Sequence, residues 1–257
     1  MTHLLAELTR DEAGRMVPDA TVILPSAAIE QHGPHLPIIT DTCIVEAISR
    51  RVAAAASVPV LVAPTVCYGA SQHHFPFPGV MSLSSGTFSA TLRDLLDSLA
   101  RMGAQRVYLL NGHGGNDELV RLVAREEGPL KRLAIGAASY WSLAWDGLIA
   151  AEAHTQLGTL PGHAGHFETA AMMALRPDLV RTDAIPVPMD TQMTGSIWPG
   201  GMRGTVTPPH NSLGTSGTSD DASNATPEWG EQLLDICVRE VTAAIEAFHT
   251  TAGAWFA

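Results

Sequence analysis

The sequence predicts an α/β fold, a three-layer sandwich around a mainly parallel β-sheet. Two observations indicate it. Short apolar runs alternate with stretches whose apolar residues recur at helical spacing. Most of the runs are apolar at successive positions, as in strands that helices cover on both faces. Because α/β proteins bind ligands beyond the carboxyl ends of their strands, we expect the functional residues there.

The first half of the chain is predicted to contain two strands and two helices. Residues 22–24, with the small residues after them, form a buried strand, and residues 60–66 form the second. A helix is predicted between them over residues 42–56. Residues 88–102 carry leucines at helical spacing and end at Gly103, a residue type that commonly follows a helix.

The second half continues the alternation. Strands are predicted at residues 106–110 and 133–139, and helices at residues 117–127 and 167–175. The last helix is predicted to continue to Phe248.

The last helix is predicted to begin with Thr226 as its N-cap and Pro227 at its first position. Residues 195–226, just before it, are rich in Gly, Pro, Ser and Thr and are either disordered or an active-site or interface loop. Since the chain shows no internal repeat and no second domain, residues 1–257 are predicted to form a single domain.

Composition excludes several classes of protein. A hydrophobic fraction of 46% favours a globular chain over a disordered one. The formal net charge of −11, without a run of basic residues, does not suit a nucleic-acid partner. The longest apolar stretch, residues 52–66, is broken by prolines and is too short to span a bilayer.

Cysteine usage and the first residues favour the cytoplasm. The three cysteines are far apart and form no Cys-x-x-Cys pair, so neither a disulfide framework nor a thiolate zinc site is expected. The first residues, MTHLLAELTRDEAG, lack the basic region and apolar core of a signal peptide.

Three stretches of the chain hold residues that can bind a metal. They are EQHGPH at residues 30–35 followed by Asp41, NGHGGN at residues 111–116, and GHAGHFE at residues 162–168. Each stands where a buried run gives way to a loop. Together they supply the carboxylates and imidazoles that a hydrolytic dinuclear metal site needs.

The predicted strands bring part of this set together. Glu30 and His32 follow the first strand and His113 follows the third, so all three belong to one edge of the sheet. Glu30 and His32 are two residues apart, and their side chains share a face if the segment is extended. Asp41 precedes a helix, where a carboxylate can bridge two cations.

Each residue also has a structural interpretation when it is taken alone. Asp41 would serve as a helix N-cap, and the glycines of NGHGGN would make a tight turn. His35 and the pair His73-His74 would be surface or loop histidines. These separate explanations do not account for three such clusters in one chain, which favours the metal site.

The motifs EQHGPHLPxxTD, NGHGGN and HAGxxET resemble those of the creatininase family of metal-dependent amidohydrolases, in the same order. The resemblance runs from about Pro25 to the last helix. It includes YGAS at residues 68–71, FPG at residues 77–79 and a weaker ATPE at residues 225–228. It implies an α/β sandwich, two divalent ions per subunit and assembly as a hexamer.

The resemblance also implies roles for single residues. The matching metal ligands are Glu30, His32, Asp41, His113 and Glu168. Asp41 would bridge the two ions, and Glu168 would also take part in catalysis. His163 matches a histidine that handles protons, a role that suits an imidazole because it titrates near neutral pH.

The candidate substrate-binding residues are Ser71, Gly114, Gly115 and His166. The backbone N–H groups of the two glycines could stabilise an oxyanion. His166 stands where relatives often have Glu, and it either tunes substrate choice or simply begins a helix.

Two departures separate this chain from the creatinine-hydrolysing member of the family. That member has Tyr-Glu at the place of Gly114-Gly115, and its Glu ligates a metal. Because Gly115 cannot do so, Glu168 is the expected metal ligand in this chain. It also has a tryptophan shortly before the catalytic histidine, whereas LGTLP at residues 157–161 contains no aromatic residue. Creatinine is therefore not the expected substrate.

The expected function is hydrolysis of a C–N amide bond in a small cyclic or linear amide, with a metal-bridged water as the nucleophile. Ligation by N and O atoms suits Zn²⁺, Mn²⁺ or Fe²⁺. A lactonase, a peptidase or a catalytically inactive metal-binding relative remain alternatives. A dinucleotide-binding oxidoreductase is not expected, because residues 25–31 lack a Gly-x-Gly-x-x-Gly turn.

Overall fold

The computed structural model describes residues 3–151, 160–186 and 213–256. Four strands of this part of the chain form one sheet with the order β2-β1-β3-β4, and every neighbouring pair is parallel. The strands are β1 (Thr21–Ser26), β2 (Val60–Val62), β3 (Arg106–Asn111) and β4 (Ala134–Ser139). The α/β fold with a parallel sheet is thereby confirmed.

The α-helices of the described residues follow the strands in sequence. They are α1 (Arg10–Met16), α2 (Thr40–Ala55), α3 (Ser85–Arg101), α4 (Asp117–Lys131), α5 (Tyr140–Leu143), α6 (Trp145–Ala150), α7 (His166–Leu175) and α8 (Pro227–Gly253). A short 3-10 helix over Gly114–Asn116 leads into α4. Among the described residues no helix is both long and apolar enough to cross a membrane.

Helices cover the sheet on both faces. Side chains alternate between the faces along β1, so Ile23 packs with residues of α2, α7 and α8. Its neighbours Val22 and Leu24 pack on the other face with residues of α3 and α4. One buried cluster thus lies on each face of the sheet, between the sheet and the helices that cover it. Helices, sheet and helices form the three layers that the uninterrupted apolar strands predict.

The direction in which successive strands are added to the sheet reverses between β1 and β3. From β1 the chain crosses to β2 at one edge of the sheet, and from β3 it crosses to β4 at the other edge. In open α/β sheets such a reversal leaves a crevice at the carboxyl ends of the two central strands. The segments that follow β1 and β3 meet at this place, where the N–H of Gly112 donates to the carbonyl of Ser26.

Several predicted boundaries differ from the structure. β2 ends at Val62 because Pro64 has no N–H for the ladder, although Val66 forms an isolated bridge with Ser26. α4 continues for another turn beyond residue 127 and stops at Lys131, before Arg132 adopts a left-handed conformation.

Other expectations have different outcomes. Helices α1, α5 and α6 had not been predicted, whereas Thr226 caps α8 and Pro227 is its first residue, as expected. Of the predicted loop over residues 195–226, the part up to residue 212 lies outside the described residues. That residues 1–257 form a single domain stays a prediction.

Candidate metal centre

The two carboxylate oxygens of Asp41 face two different groups of side chains. Oδ2 lies 3.1 Å from Nδ1 of His113, and this nitrogen is 3.3 Å from Oε1 of Glu30. Oδ1 lies 3.0 Å from Nε2 of His32, which is 3.5 Å from Oε2 of Glu168. Two groups of three donor atoms therefore meet at Asp41, and each is compact enough to surround one cation.

These five side chains are buried, and none is more than 6% exposed. Glu30 and His32 lie in the segment after β1, and His113 follows β3, so the crevice between these strands brings them together. Asp41 comes from the first turn of α2 and Glu168 from the first turn of α7. Buried carboxylates are costly unless a positive charge compensates them.

Hydrogen bonds to backbone carbonyls fix the orientation of both imidazoles. Nδ1–H of His32 donates to the carbonyl of Glu30 at 3.1 Å, which turns Nε2 toward Asp41. Nε2–H of His113 donates to the carbonyl of Ala70 at 3.2 Å, which turns Nδ1 toward Asp41 and Glu30. Metal-binding histidines commonly have this arrangement, in which the outer nitrogen is tied and the inner nitrogen is offered to the ion.

The centre attracts positive charge. Oε2 of Glu30 and Oδ2 of Asp41 are buried and accept no hydrogen bond from any described residue. Burial by itself would lower the pKa of His113, but Glu30 and Asp41 raise it to about 10. Oxygen and nitrogen donors without a thiolate fit zinc, manganese or iron in the divalent state, so the residues present suit the expected metal.

His163 lies beside both groups. Its Nε2–H donates to the carbonyl of Gln31 at 2.8 Å, and its Nδ1 is 3.5 Å from Oε1 of Glu30. Burial and the nearby His32 hold the pKa of His163 well below its usual value. The ring is therefore neutral near pH 7, with the lone pair of Nδ1 turned toward the centre.

The backbone of His163 is held by a distant segment of the chain. Its N–H donates to Oγ of Ser219 at 2.7 Å, and the N–H of Ser219 donates to the carbonyl of His163 at 2.8 Å. Asp220 accepts a hydrogen bond from the N–H of His166 and thus caps the start of α7. The N–H of Ala164, the residue after His163, donates to Oε2 of Glu168 at 2.6 Å and orients this carboxylate.

The creatininase family model, described as creatinine amidohydrolase, matches residues 6–245. The chain belongs to the creatininase family. Members of this family are hydrolases that act on C–N amide bonds, so the expected enzyme class is confirmed. The resemblance that the sequence motifs carry is confirmed as well.

Named relatives match over nearly their whole length. The chain is 33% identical over 248 residues to creatinine amidohydrolase of Pseudomonas putida, covering 91% of this chain and 92% of the relative. It is 32% identical over 242 residues to the mycofactocin precursor peptide peptidase of Mycobacterium tuberculosis, covering 86% of this chain and 84% of the relative.

Solved creatininase structures share the fold. A manganese creatininase superposes with a TM-score of 0.78 at 30% identity and covers 96% of this chain and 98% of its own. A creatininase variant of the Zn–Zn type gives a TM-score of 0.77 with the same identity and coverage. Zinc and manganese are thus named with these neighbours, and the two groups of side chains around Asp41 are the candidates for metal binding in this chain.

Gly115 stands where the creatinine-hydrolysing creatininase is expected to carry a ligating Glu. A Cβ atom at this position would lie 2.6 Å from Nε2 of His113 and 2.9 Å from Cε1 of His73, and it would also overlap the carbonyl of Ala70. Position 115 therefore supplies no carboxylate and has no space for one. The neighbouring Gly114 has no atom within 4 Å of its corresponding Cβ position.

Replacing Gly115 with alanine is expected to lower the free energy of unfolding by about 1–3 kcal/mol, because an inserted methyl group must displace His113 or the backbone at Ala70. The Gly114→Ala variant is the matched control and should change stability by less than about 0.5 kcal/mol. Urea unfolding of the two variants beside the wild type measures the difference. Equal stability of the two variants would contradict the close packing around Gly115.

The structure corrects the interpretation of two histidines as surface residues, although His35 does lie in a turn. His74 is 2% exposed, and its Nε2 lies 3.3 Å from Oε1 of Glu30. His35 is 1% exposed and forms a hydrogen bond with Oγ1 of Thr169. His73 is exposed, as expected. His74 lies between YGAS at residues 68–71 and FPG at residues 77–79, which carry part of the family resemblance, although nothing there indicated the contact with Glu30.

The interpretation of Asp41 as a helix N-cap is also wrong. Ile39 occupies the N-cap position of α2, and Asp41 lies inside the first turn with its side chain directed to His32 and His113. The carboxylate is therefore available to the metal centre.

Of the candidate substrate-binding residues, Ser71 and the two glycines adjoin His113, and His166 is two positions before Glu168. Ser71 is buried, and its Oγ is 3.4 Å from Nε2 of His113. Gly114 and Gly115 form the turn before α4. His166 is the first residue of α7, so it does begin a helix, and its side chain is buried. Contact of these residues with a substrate stays a prediction.

Proposed function

We propose that the chain is a dinuclear-metal-dependent amidohydrolase that acts on a small cyclic or linear amide. The observation that supports it most strongly is the position of Asp41, whose two oxygens belong to separate groups of donor atoms. One ion would be held by Glu30, Asp41 and His113, and the other by His32, Asp41 and Glu168. Zinc, manganese and iron all fit these donors.

When bound, the two divalent ions would polarise the scissile carbonyl and acidify a water molecule held between them. His163 presents an unprotonated Nδ1 to this position and can accept the proton that the nucleophile loses. The same nitrogen can then deliver the proton to the leaving nitrogen of the amide. Burial and the nearby His32 lower the pKa of His163, which favours release of this proton in the second step.

Other residues of the centre would support the reaction. Glu168, fixed by the N–H of Ala164, would hold one ion and contribute its negative charge close to the transferred proton. The backbone N–H groups of Gly114 and Gly115 would stabilise the oxyanion of the tetrahedral intermediate. Ser71 and His166 would contact the substrate.

Creatinine is expected to be a poor substrate. Residues 157–161 provide no aromatic side chain to close over its ring, and Gly115 provides no further carboxylate beside Glu30, Asp41 and Glu168. Metal-reconstituted protein should be tested on a panel of cyclic amides, linear amides, short peptides and lactones, with creatinine included. Turnover of creatinine at roughly 1–10³ s⁻¹, the range of efficient enzymes, would contradict this expectation. No hydrolysis of any amide would contradict the proposed function.

A peptidase is the second candidate. The similarity to mycofactocin precursor peptide peptidase over 242 residues favours it, and the same side chains would serve a peptide bond. Hydrolysis of peptides alone in the panel would select this candidate, and hydrolysis of lactones alone would select a lactonase. Tight binding of metal without any hydrolysis would indicate an inactive relative.

We also propose a cytoplasmic homohexamer, following the family resemblance. Light scattering of the purified protein is expected to give a mass close to six subunits. The number of subunits is expected to be unaffected by the Asp41→Ala substitution, since the metal centre is buried within the chain. A monomer at micromolar concentration would contradict the hexamer.

A further inference from the structure

The side chain of Gln31, between Glu30 and His32, is held in one orientation. Its Oε1 accepts a hydrogen bond from the N–H of Gly33 at 2.9 Å. Its Nε2 donates to the carbonyl of Gly217 at 3.1 Å. Exchange of the amide oxygen and nitrogen would set donor against donor and acceptor against acceptor, so the two neighbours fix the orientation.

This orientation determines where His74 carries its hydrogen. Nδ1 of His74 lies 3.1 Å from Nε2 of Gln31, and an amide NH₂ group can only donate. Nδ1 must therefore accept, and the single hydrogen of the neutral ring is on Nε2. This N–H points to Oε1 of Glu30 at 3.3 Å. Glu30, His73 and His74 each have an atom that could bind a metal, and these atoms lie close together. His74, however, donates a hydrogen bond to Glu30 and so offers no lone pair to a cation there.

The main chain of Gln31 has the corresponding effect on His163. Nε2 of His163 lies 2.8 Å from the carbonyl oxygen of Gln31 and 3.0 Å from its side-chain nitrogen. The carbonyl can only accept, so Nε2 carries the hydrogen and Nδ1 carries the lone pair. The two amide hydrogens of Gln31 are accounted for by Gly217 and His74.

We propose that Gln31 is a positioning residue that sets the tautomers of two histidines at once. Its main-chain carbonyl leaves His163 with an unprotonated Nδ1 at the reaction centre, and its side-chain amide leaves His74 with an N–H that holds Glu30. The role of His163 in this scheme rests on the proposed function. Neither ring has to change its tautomer before the reaction, because one residue has already selected both.

Gly217 supports this assignment from outside the motif. It has a φ of 72°, and a Cβ atom there would overlap the side-chain amide of Gln31 and lie 3.0 Å from its Cδ. Only glycine lets the carbonyl of residue 217 approach the amide in this way. The segment after residue 212 therefore helps to hold Gln31 in place.

Solid-state NMR of protein labelled with ¹⁵N-histidine measures the tautomers directly. In the metal-loaded wild type, His74 and His163 are both expected to carry their hydrogen on Nε2. Their signals are assigned with the variants His74→Gln and His163→Gln. In Gln31→Met, which removes the amide donor, His74 is expected to lose its single tautomer. The kcat for the best amide of the panel is expected to fall by roughly 10–100-fold, the range for a residue that orients a metal ligand.

Gln72→Met is the matched control. Gln72 lies in the same short 3-10 helix as His74, and its amide donates to the carbonyl of Leu83 at 2.7 Å, so its loss removes a similar hydrogen bond but not the donor to His74. It should leave the histidine spectrum unchanged. Gly217→Ala gives a second way to displace Gln31 and is expected to affect His74 as Gln31→Met does.

Three results would overturn the proposal. They are a wild-type His74 with its hydrogen on Nδ1, a wild-type His163 with its hydrogen on Nδ1, and an unchanged His74 in Gln31→Met. If Gln31→Met does not fold, the wild-type spectrum still decides the first two. The metal content of the same samples is measured separately, so failure of the dinuclear site is distinguished from failure of the tautomer assignment.

Discussion

Replacing Asp41 with alanine is expected to abolish hydrolysis and to release both divalent ions. The wild type should hold about two ions per chain after reconstitution with Zn²⁺ or Mn²⁺. Asp41 is the only residue of the proposed ligand set that belongs to both groups of donor atoms, at 3.0 Å from His32 and 3.1 Å from His113. Its loss removes a ligand from each of the two ions. Elemental analysis after gel filtration measures the metal content.

Asp117→Ala is a matched control for this substitution. Asp117 also lies in the first turn of a helix, but its carboxylate accepts hydrogen bonds from Ser139 and Arg121. This variant is expected to keep its metal. Asp41→Asn, which preserves shape but removes the charge, should lose metal nearly as severely as Asp41→Ala. A variant of Asp41 that retains both ions would show that this residue is not the bridge.

Replacing His163 with alanine is expected to lower kcat by roughly 10²–10⁴-fold, the usual effect of losing a general acid–base residue. The metal content should remain close to that of the wild type. The distinction matters because Nδ1 of His163 also lies near Glu30 and His32, in an arrangement that could hold a cation. Turnover and elemental analysis on the same preparation separate proton transfer from metal binding.

His249→Ala is the control for removal of a histidine. His249 forms a hydrogen bond with Oγ1 of Thr21, at the amino end of β1 and therefore at the opposite edge of the sheet. It is expected to keep both activity and metal. If His163→Ala loses metal as severely as Asp41→Ala, then His163 is a ligand and its proposed role in proton transfer is wrong.

Much of the fold follows from local patterns in the sequence. Uninterrupted apolar runs identified β1 and β3, and the spacing of leucines identified α3, because burial on one or both faces leaves a periodic trace. Local patterns do not reveal short helices such as α5 and α6, whose formation depends on the packing around them. They also overestimated the length of β2, which was predicted over residues 60–66 but ends at Val62 because of tertiary pairing and Pro64.

The candidate site was predictable where it depends on strand ends and motifs. Glu30 and His32 follow β1 and His113 follows β3, so their proximity follows from the parallel sheet. Glu168 was assigned as a metal ligand from the family resemblance, since no periodicity links residue 168 to residue 41. The structure adds that Asp41 divides its two oxygens between the groups.

The supporting contacts could not be predicted from the sequence. His74 is 44 positions after Glu30 in the sequence, and only the folded loops bring the two side chains together. Ser219 lies in a segment without periodicity, so its hydrogen bonds to His163 left no local signal. The sequence revealed that Gly115 lacks a carboxylate, but the neighbouring atoms that exclude a side chain are evident only in three dimensions.

Anomalous diffraction from crystals of the zinc-loaded protein would test the dinuclear centre most directly. Two peaks about 3.5–4 Å apart are expected, the usual separation in two-metal sites. One should lie among Glu30, Asp41 and His113, and the other among His32, Asp41 and Glu168, with Asp41 between the ions. A single peak at full zinc loading, or two peaks that Asp41 does not bridge, would contradict the dinuclear centre.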